Sequence, residues 1–142
     1  MTTSPEKIPC RILVVDDEPL VLEALALTLS RAKDLECEIE TATNGEEALR
    51  KAATFRPEIV LADFRMPGMT GIDLLARLRE QAPTTVRALI TGYTDLEIAM
   101  EALEKAKIHY YIQKPWNNEE LRRTVMEAIR QGGSLRAKEA KL

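Results

Sequence analysis

The chain has 142 residues, 45% hydrophobic and 30% charged, the balance of one compact domain; two full domains do not fit. Twenty Lys plus Arg against 23 Asp plus Glu give a formal net charge of -3, so no global cationic field recruits nucleic acid or anionic membrane. No apolar run approaches the roughly 18 residues that span a bilayer, and the start lacks a secretory pattern, so a cytoplasmic location is expected. Cys10 and Cys37 show neither metal-ligand spacing nor a disulfide framework, and they read as ordinary thiols.

The first element is Arg11 to Val15, an unbroken β-branched run suited to a strand buried on both faces. It stops at Asp16-Asp17-Glu18. Pro19 then suits the first turn of a helix, because its missing N–H would be unpaired there anyway, and apolar residues follow at helical spacing to Ser30. Cys37 to Ala42 alternates as a sheet-edge strand does, with Ile39 inward. Asn44, with Glu47 three residues on, opens a second helix that ends before Pro57.

Ile59 to Ala62 is a second fully apolar strand, ending in Asp63 and a loop through Met69. Thr70 and Asp73 form a capping-box pattern for a third helix with Leu74, Leu75 and Leu78 on its buried stripe. Val86 to Ile90 is the fourth strand and ends at Thr91. Thr94 with Glu97 caps a fourth helix, whose apolar face carries Ile98 and Leu103. Tyr110 to Ile112 is the fifth strand, closed by Lys114-Pro115. Asn117 with Glu120 caps a fifth helix running to about Arg130. His109 reads as a surface residue and Trp116 as packing.

Five successive βα units imply an α/β fold: a doubly wound five-stranded parallel sheet, flavodoxin-like, with strand order 2-1-3-4-5. Residues 1–8 read as a flexible segment, 9–131 as the domain, and 132–142, opening with Gly132-Gly133-Ser134, as a flexible exit or the start of a linker. In that strand order a crevice opens at the carboxyl ends of strands one and three, where Asp16, Asp17 and Asp63 fall. Clustered carboxylates repel one another, and a hard divalent cation relieves that repulsion; magnesium suits oxygen ligands and keeps positions for phosphoryl oxygens. Lys114 offers a point charge and Thr91 a hydroxyl at the same sheet end. Together these residues provide a metal site, a nucleophile and two charge stabilisers for phosphoryl chemistry.

The ordered set Val14-Val15-Asp16-Asp17-Glu18, Ala62-Asp63 with Met66-Pro67-Gly68 and Gly71, Thr91-Gly92 and Lys114-Pro115 resembles the receiver domain of bacterial response regulators over roughly Pro9 to Gln131. The resemblance implies that Asp63 is the phosphoacceptor, charged from a phosphohistidine on a sensor histidine kinase or phosphotransfer protein. It implies magnesium held by Asp16, Asp17, Asp63 and the backbone carbonyl of Arg65, with Lys114 pairing to the phosphoryl oxygens and a cis Lys114-Pro115 bond. It also implies a switch: Thr91 drawn toward the phosphoryl group, the ring of Tyr111 turning inward, and the face of helix four, strand five and helix five changing shape, a face that also suits homodimerisation. Such a domain catalyses only its own phosphorylation and dephosphorylation and is otherwise not an enzyme.

Arg65 and Tyr93 depart from the best-known chemotaxis receivers, and as bulky residues over the site they are expected to slow loss of the phosphoryl group. Alternative readings are a phosphorylation-independent pseudo-receiver that only binds partners, a small magnesium-dependent phosphatase, and a flavodoxin. The D-x-D-x-[TV] phosphatase signature is absent at Asp16 to Leu20, and three acids after the first strand would repel a flavin phosphate. Thr91 to Asp95 and Lys114 to Trp116 are similar to receivers heading cyclic-dinucleotide phosphodiesterases or hydrogenase-type transcriptional regulators. The output is therefore expected to be a fused or separate domain, with the chain either stand-alone or part of a longer regulator.

Overall fold

The computed structural model describes residues 8–33, 35–92 and 96–140, with side chains placed at all of these except 96 and 133–140. Strands β1 (Ile8–Val15), β2 (Leu35–Ala42), β3 (Ile59–Asp63), β4 (Val86–Thr91) and β5 (Tyr110–Gln113) form one sheet in the order β2-β1-β3-β4-β5. Every neighbouring pair is parallel, with Val15 opposite Ala42 and Ala62, and Asp63 opposite Ile90. The helices are α1 (Pro19–Ser30), α2 (Gly45–Phe55), α3 (Gly71–Gln81), α4 (Leu96–Glu101, continued by a π-helical turn over Ala102–Ala106) and α5 (Asn118–Ala140). Among the described residues no helix is long and apolar enough to cross a membrane.

Strand alternation divides the core into two layers. Ile12, Val14, Leu61 and Ile90 pack with Leu25, Leu29 and Val125 of α1 and α5, while Leu13, Val60 and Leu89 pack with Leu74, Leu75 and Leu78 of α3. The central strands are buried on both faces because helices cover both, which is why they read as unbroken apolar runs. Local chemistry sets the helix starts. Asn44 Oδ1 accepts from the Glu47 amide at 2.8 Å, Asn117 Oδ1 accepts from the Glu120 amide at 3.1 Å, and Thr70 with Asp73 closes a reciprocal capping box.

Several expectations are corrected. Strand β1 begins at Ile8, ahead of Arg11, because β2 extends to Leu35 and pairs with it. Helix α5 does not end near Arg130 but continues through Gly132, which is buried; a Cβ there would stand 3.4 Å from Val86 Cγ2, so the position is in close contact with β4. Leu103 is 54% exposed, and Ala102 and Ala106 carry the buried face of the fourth helix instead. Five residues beyond Ile98 lies about 140° around an ideal helix, off the buried stripe. His109 is half-buried rather than on the surface, and its Nδ1 accepts from the Arg87 amide at 2.9 Å. Thr94, the expected cap of the fourth helix, lies outside the described residues.

Arg87, which no sequence pattern marked, is buried at the start of β4. Its guanidinium donates to the carbonyls of Ala106 (2.9 Å), Thr85 (3.1 Å), Lys107 (3.1 Å) and Pro83 (3.3 Å). A buried cation is tolerable only when its donors are satisfied, and here they tie the end of the π-helical turn to the loop before β4.

Candidate functional site

Each central strand delivers one residue to the same end of the sheet. Asp16 follows β1 and is 1% exposed; its amide donates to the Ala42 carbonyl at 3.1 Å, and its Oδ1 accepts from the Glu18 amide at 2.9 Å. These bonds fix the carboxylate as the chain turns into α1. Asp63 ends β3 and is 8% exposed, and Thr91 ends β4 wholly buried. Asp17 and Arg65 are exposed.

The ligand atoms of Asp16, Asp17 and Asp63 all lie within 4.8 Å of one another. Lys114 reaches into this group from the residue after β5, placing Nζ 2.8 Å from Asp63 Oδ1 and 3.1 Å from Asp16 Oδ2. Its own amide donates to the Thr91 carbonyl at 2.9 Å, locking the turn after β5 against β4, and the Lys114-Pro115 peptide is cis. Burial pushes the Asp63 carboxyl above the ordinary carboxylate range; the Lys114 hydrogen bond opposes this, and the charges of Asp16 and Asp17 add to it. For Lys114 burial acts against the charge, but the Asp63 and Asp16 carboxylates outweigh it and hold the ammonium above its usual value.

One lysine set against three carboxylates, two of them buried, leaves an excess of negative charge in the group. A set of hard oxygen donors, partly buried and closely grouped, fits a small divalent cation. Among the described residues this is the one group of metal-ligating side chains of that kind.

Gly71, quoted in the motif but given no task by sequence reasoning, is required by the site. Its amide donates to the Phe64 carbonyl at 2.9 Å, and a Cβ on it would collide with the Asp63 carbonyl oxygen and stand 2.9 Å from the carbonyl carbon. The α3 backbone thus presses directly on the backbone of Asp63, an approach that only glycine permits.

Tyr110 and Tyr111 are separated by strand alternation. Tyr110 packs on the α1/α5 side, its hydroxyl 3.1 Å from Gln131 Oε1, whereas Tyr111 is half-buried on the other side with Leu89 as its strand partner. Thr91, two residues after Leu89, falls on that same face of β4. Trp116 is half-buried against the core with its indole Nε1 donating to Asn118 Oδ1 at 3.0 Å. Tyr93 lies outside the described residues.

A five-stranded parallel sheet of this order, with acids ending its first and third strands and a lysine after the fifth, defines a receiver-type α/β domain. The chain belongs to the response regulator receiver domain family, whose model matches residues 12–126. It is 38% identical over 86% of its length to the hydrogenase transcriptional regulatory protein HoxA of Cupriavidus necator, spanning 24% of that protein. It is 36% identical over 84% of its length to the positive alginate biosynthesis regulatory protein of Pseudomonas aeruginosa, spanning 47% of it. The chain thus spans only part of these curated relatives. Among solved structures it is similar to the signal receiver domain of an HD domain-containing protein from Pseudomonas fluorescens Pf-5, with TM-score 0.83 and 32% identity over 90% of this chain and 99% of that one.

Proposed function

We propose that the chain is a phosphoacceptor receiver in which Asp63 takes a phosphoryl group from a phosphohistidine on a sensor histidine kinase or phosphotransfer protein. The observation that carries this reading is Lys114 Nζ shared between Asp63 and Asp16 inside the carboxylate group. An Asp63 carboxylate oxygen attacks phosphorus as the phosphorus–nitrogen bond breaks and the imidazole leaves. Lys114, already at Asp63 Oδ1, follows the developing charge onto the phosphoryl oxygens. Magnesium held by Asp16, Asp17, Asp63 and the backbone carbonyl of Arg65 would neutralise charge between the carboxylates and the incoming phosphoryl group.

The added phosphoryl charge, roughly -1.5 to -2, gives the Thr91 hydroxyl a strong acceptor. As Thr91 is drawn inward, space opens on the face it shares with Tyr111, and the Tyr111 ring fills it. Converting a minor active population to a dominant one takes a bias of order 5 kcal/mol. The surface formed by α4, β5 and α5 is then the output face, addressed to a second copy of the chain or to a fused or separate output domain. The location proposed is the cytoplasm, where the kinase's phosphohistidine is presented.

Intact mass after incubation with acetyl phosphate, with and without magnesium, tests this reading. A single phosphoryl adduct that requires magnesium and disappears in Asp63→Asn is expected. Absence of an adduct, with magnesium also failing to raise thermal stability, would replace the reading with a phosphorylation-independent interaction module.

A further inference from the structure

At the end of β1 farthest from the acids, a second chemically distinct pair is assembled. Cys10 and Cys37 are direct partners in the β1–β2 register, and their side chains face the same core layer against α1 and α5. Their sulfurs stand 2.9 Å apart, with the Cys10 thiol donating to Cys37 Sγ. Paired strands run about 4.8 Å apart, within the Cα separation of about 4.4 to 6.8 Å that a disulfide bridges. Thiols that merely pack as small apolar groups have no need to meet sulfur to sulfur.

We infer that Cys10 and Cys37 form an oxidation site that a peroxide converts to an intramolecular disulfide stapling the edge strand β2 to β1. The two cysteines are unequal. Cys10 is 3% exposed, whereas Cys37 lies half-buried on the edge strand, open to a small oxidant. The hydrogen bond from Cys10 lowers the pKa of the Cys37 thiol, against its burial and the nearby Glu58 charge, while the same bond and burial raise that of Cys10. Cys37 is therefore the attacking sulfur and Cys10 the resolving one.

The chemistry balances. The Cys37 thiolate attacks one peroxide oxygen, the oxygen–oxygen bond breaks, and hydroxide leaves to take up a proton as water, giving a sulfenic acid at Cys37. The Cys10 sulfur attacks the Cys37 sulfur, the sulfur–oxygen bond breaks, and hydroxide departs with the Cys10 proton as a second water. Two electrons pass from sulfur to peroxide. In a compartment kept reducing by thiol buffers the pair stays a dithiol until such an oxidant arrives. Cys10 precedes Asp16 by six residues, about 20 Å along an extended strand, so oxidation leaves the acid cluster in place.

The test treats the full native chain with hydrogen peroxide, then denatures and alkylates it with iodoacetamide before intact mass and peptide mapping. Expected are a monomer with no alkylated cysteine, lighter than the dithiol by two hydrogens, a linked Cys10–Cys37 peptide, and full recovery of both thiols with dithiothreitol. In Cys10→Ala the Cys37 sulfenic acid persists and is trapped by dimedone, and in Cys37→Ala Cys10 stays alkylatable. Acetyl phosphate labelling of Asp63 should be the same before and after oxidation. Two alkylatable cysteines after excess peroxide, or only intermolecular dimers and sulfinic acid, would overturn the inference without touching the phosphoacceptor reading.

Discussion

Lys114 Nζ stands 2.8 Å from Asp63 Oδ1, joining the residue after β5 to the end of β3 across the intervening strand β4. The same ammonium holds Asp16, so removing it leaves two buried carboxylates facing each other beside Asp17. Breaking such a pair costs more than the pair itself contributes, because an uncompensated charge remains buried. In metal-free buffer at neutral pH, Lys114→Met should lose about 2 to 4 kcal/mol in urea unfolding. Magnesium should restore part of that loss, since it answers the same repulsion; a variant as stable as the wild-type chain would contradict this account of the cluster.

Gly71 makes a sharper steric prediction. An added methyl meets the Asp63 backbone, which cannot yield without moving the proposed acceptor, so Gly71→Ala should cost about 1 to 3 kcal/mol and slow labelling by acetyl phosphate. Gly92 is the internal control, because a Cβ there meets nothing within 4 Å. Gly92→Ala should melt within a degree or two of the wild-type chain, and equal losses in both variants would show that glycine flexibility, not the close approach, is what matters.

Much of this arrangement was legible because the strands are short, apolar and punctuated. Runs such as Ile59 to Ala62, too short for a helix and bounded by polar residues, suit a doubly covered strand, and the residue ending each run marks the sheet end where chemistry gathers. The capping patterns at Asn44, Thr70 and Asn117 were readable because they are local. What stayed hidden depends on partners distant in sequence. The Arg87 guanidinium is held by carbonyls from two separate segments, Gly71 is fixed by the backbone of β3, and Cys10 meets Cys37 only once the register of β1 on β2 is set. Gly132 misled for the same reason: glycine signals an exit locally, but here it is buried beside β4 within α5.

His109 carries a pH dependence with a definite sign. Burial, then the Arg87 charge, hold its imidazole below the ordinary histidine value, and its Nδ1 accepts the Arg87 amide only while unprotonated. The unfolded chain therefore binds a proton near pH ~6.5 that the folded chain refuses, so stability is full above that pH and falls as the pH drops toward the lower folded value. Urea midpoints measured from about pH 7 to pH 5 should decline, with the decline reduced in His109→Asn. An unchanged slope in the variant would assign the loss to other groups.

Thr91 is wholly buried on the face of β4 that Tyr111 also packs against, and in the proposed switch it transmits the arrival of the phosphoryl group rather than accepts the group. Thr91→Ala retains Asp63 and Lys114, so stoichiometric labelling by acetyl phosphate should persist, slowed by no more than about tenfold, the worth of one hydrogen bond. Fluorine spectra of fluorotyrosine-labelled chain should show the Tyr111 resonance, assigned with Tyr111→Phe, shifting on phosphorylation in the wild-type chain and staying still in Thr91→Ala. A Tyr111 shift that survives loss of the hydroxyl would uncouple the two residues.

We propose that Arg65 and Tyr93 set how long the phosphoryl group lasts. Arg65 is exposed two residues after Asp63, and Tyr93 follows Thr91 by two. Hydrolysis of an aspartyl phosphate needs a water placed in line with the phosphorus–oxygen bond to be broken, and we propose that large residues at these two sequence positions slow that step. A double variant, Arg65→Asn with Tyr93→Ala, should lose its phosphoryl group several-fold faster once acetyl phosphate is removed, a change of about 1 kcal/mol in the barrier. Each single variant should fall between the two rates. Decay no faster in the double variant than in the wild-type chain would move control of the lifetime away from these residues, leaving the Lys114 contact as the group to vary next.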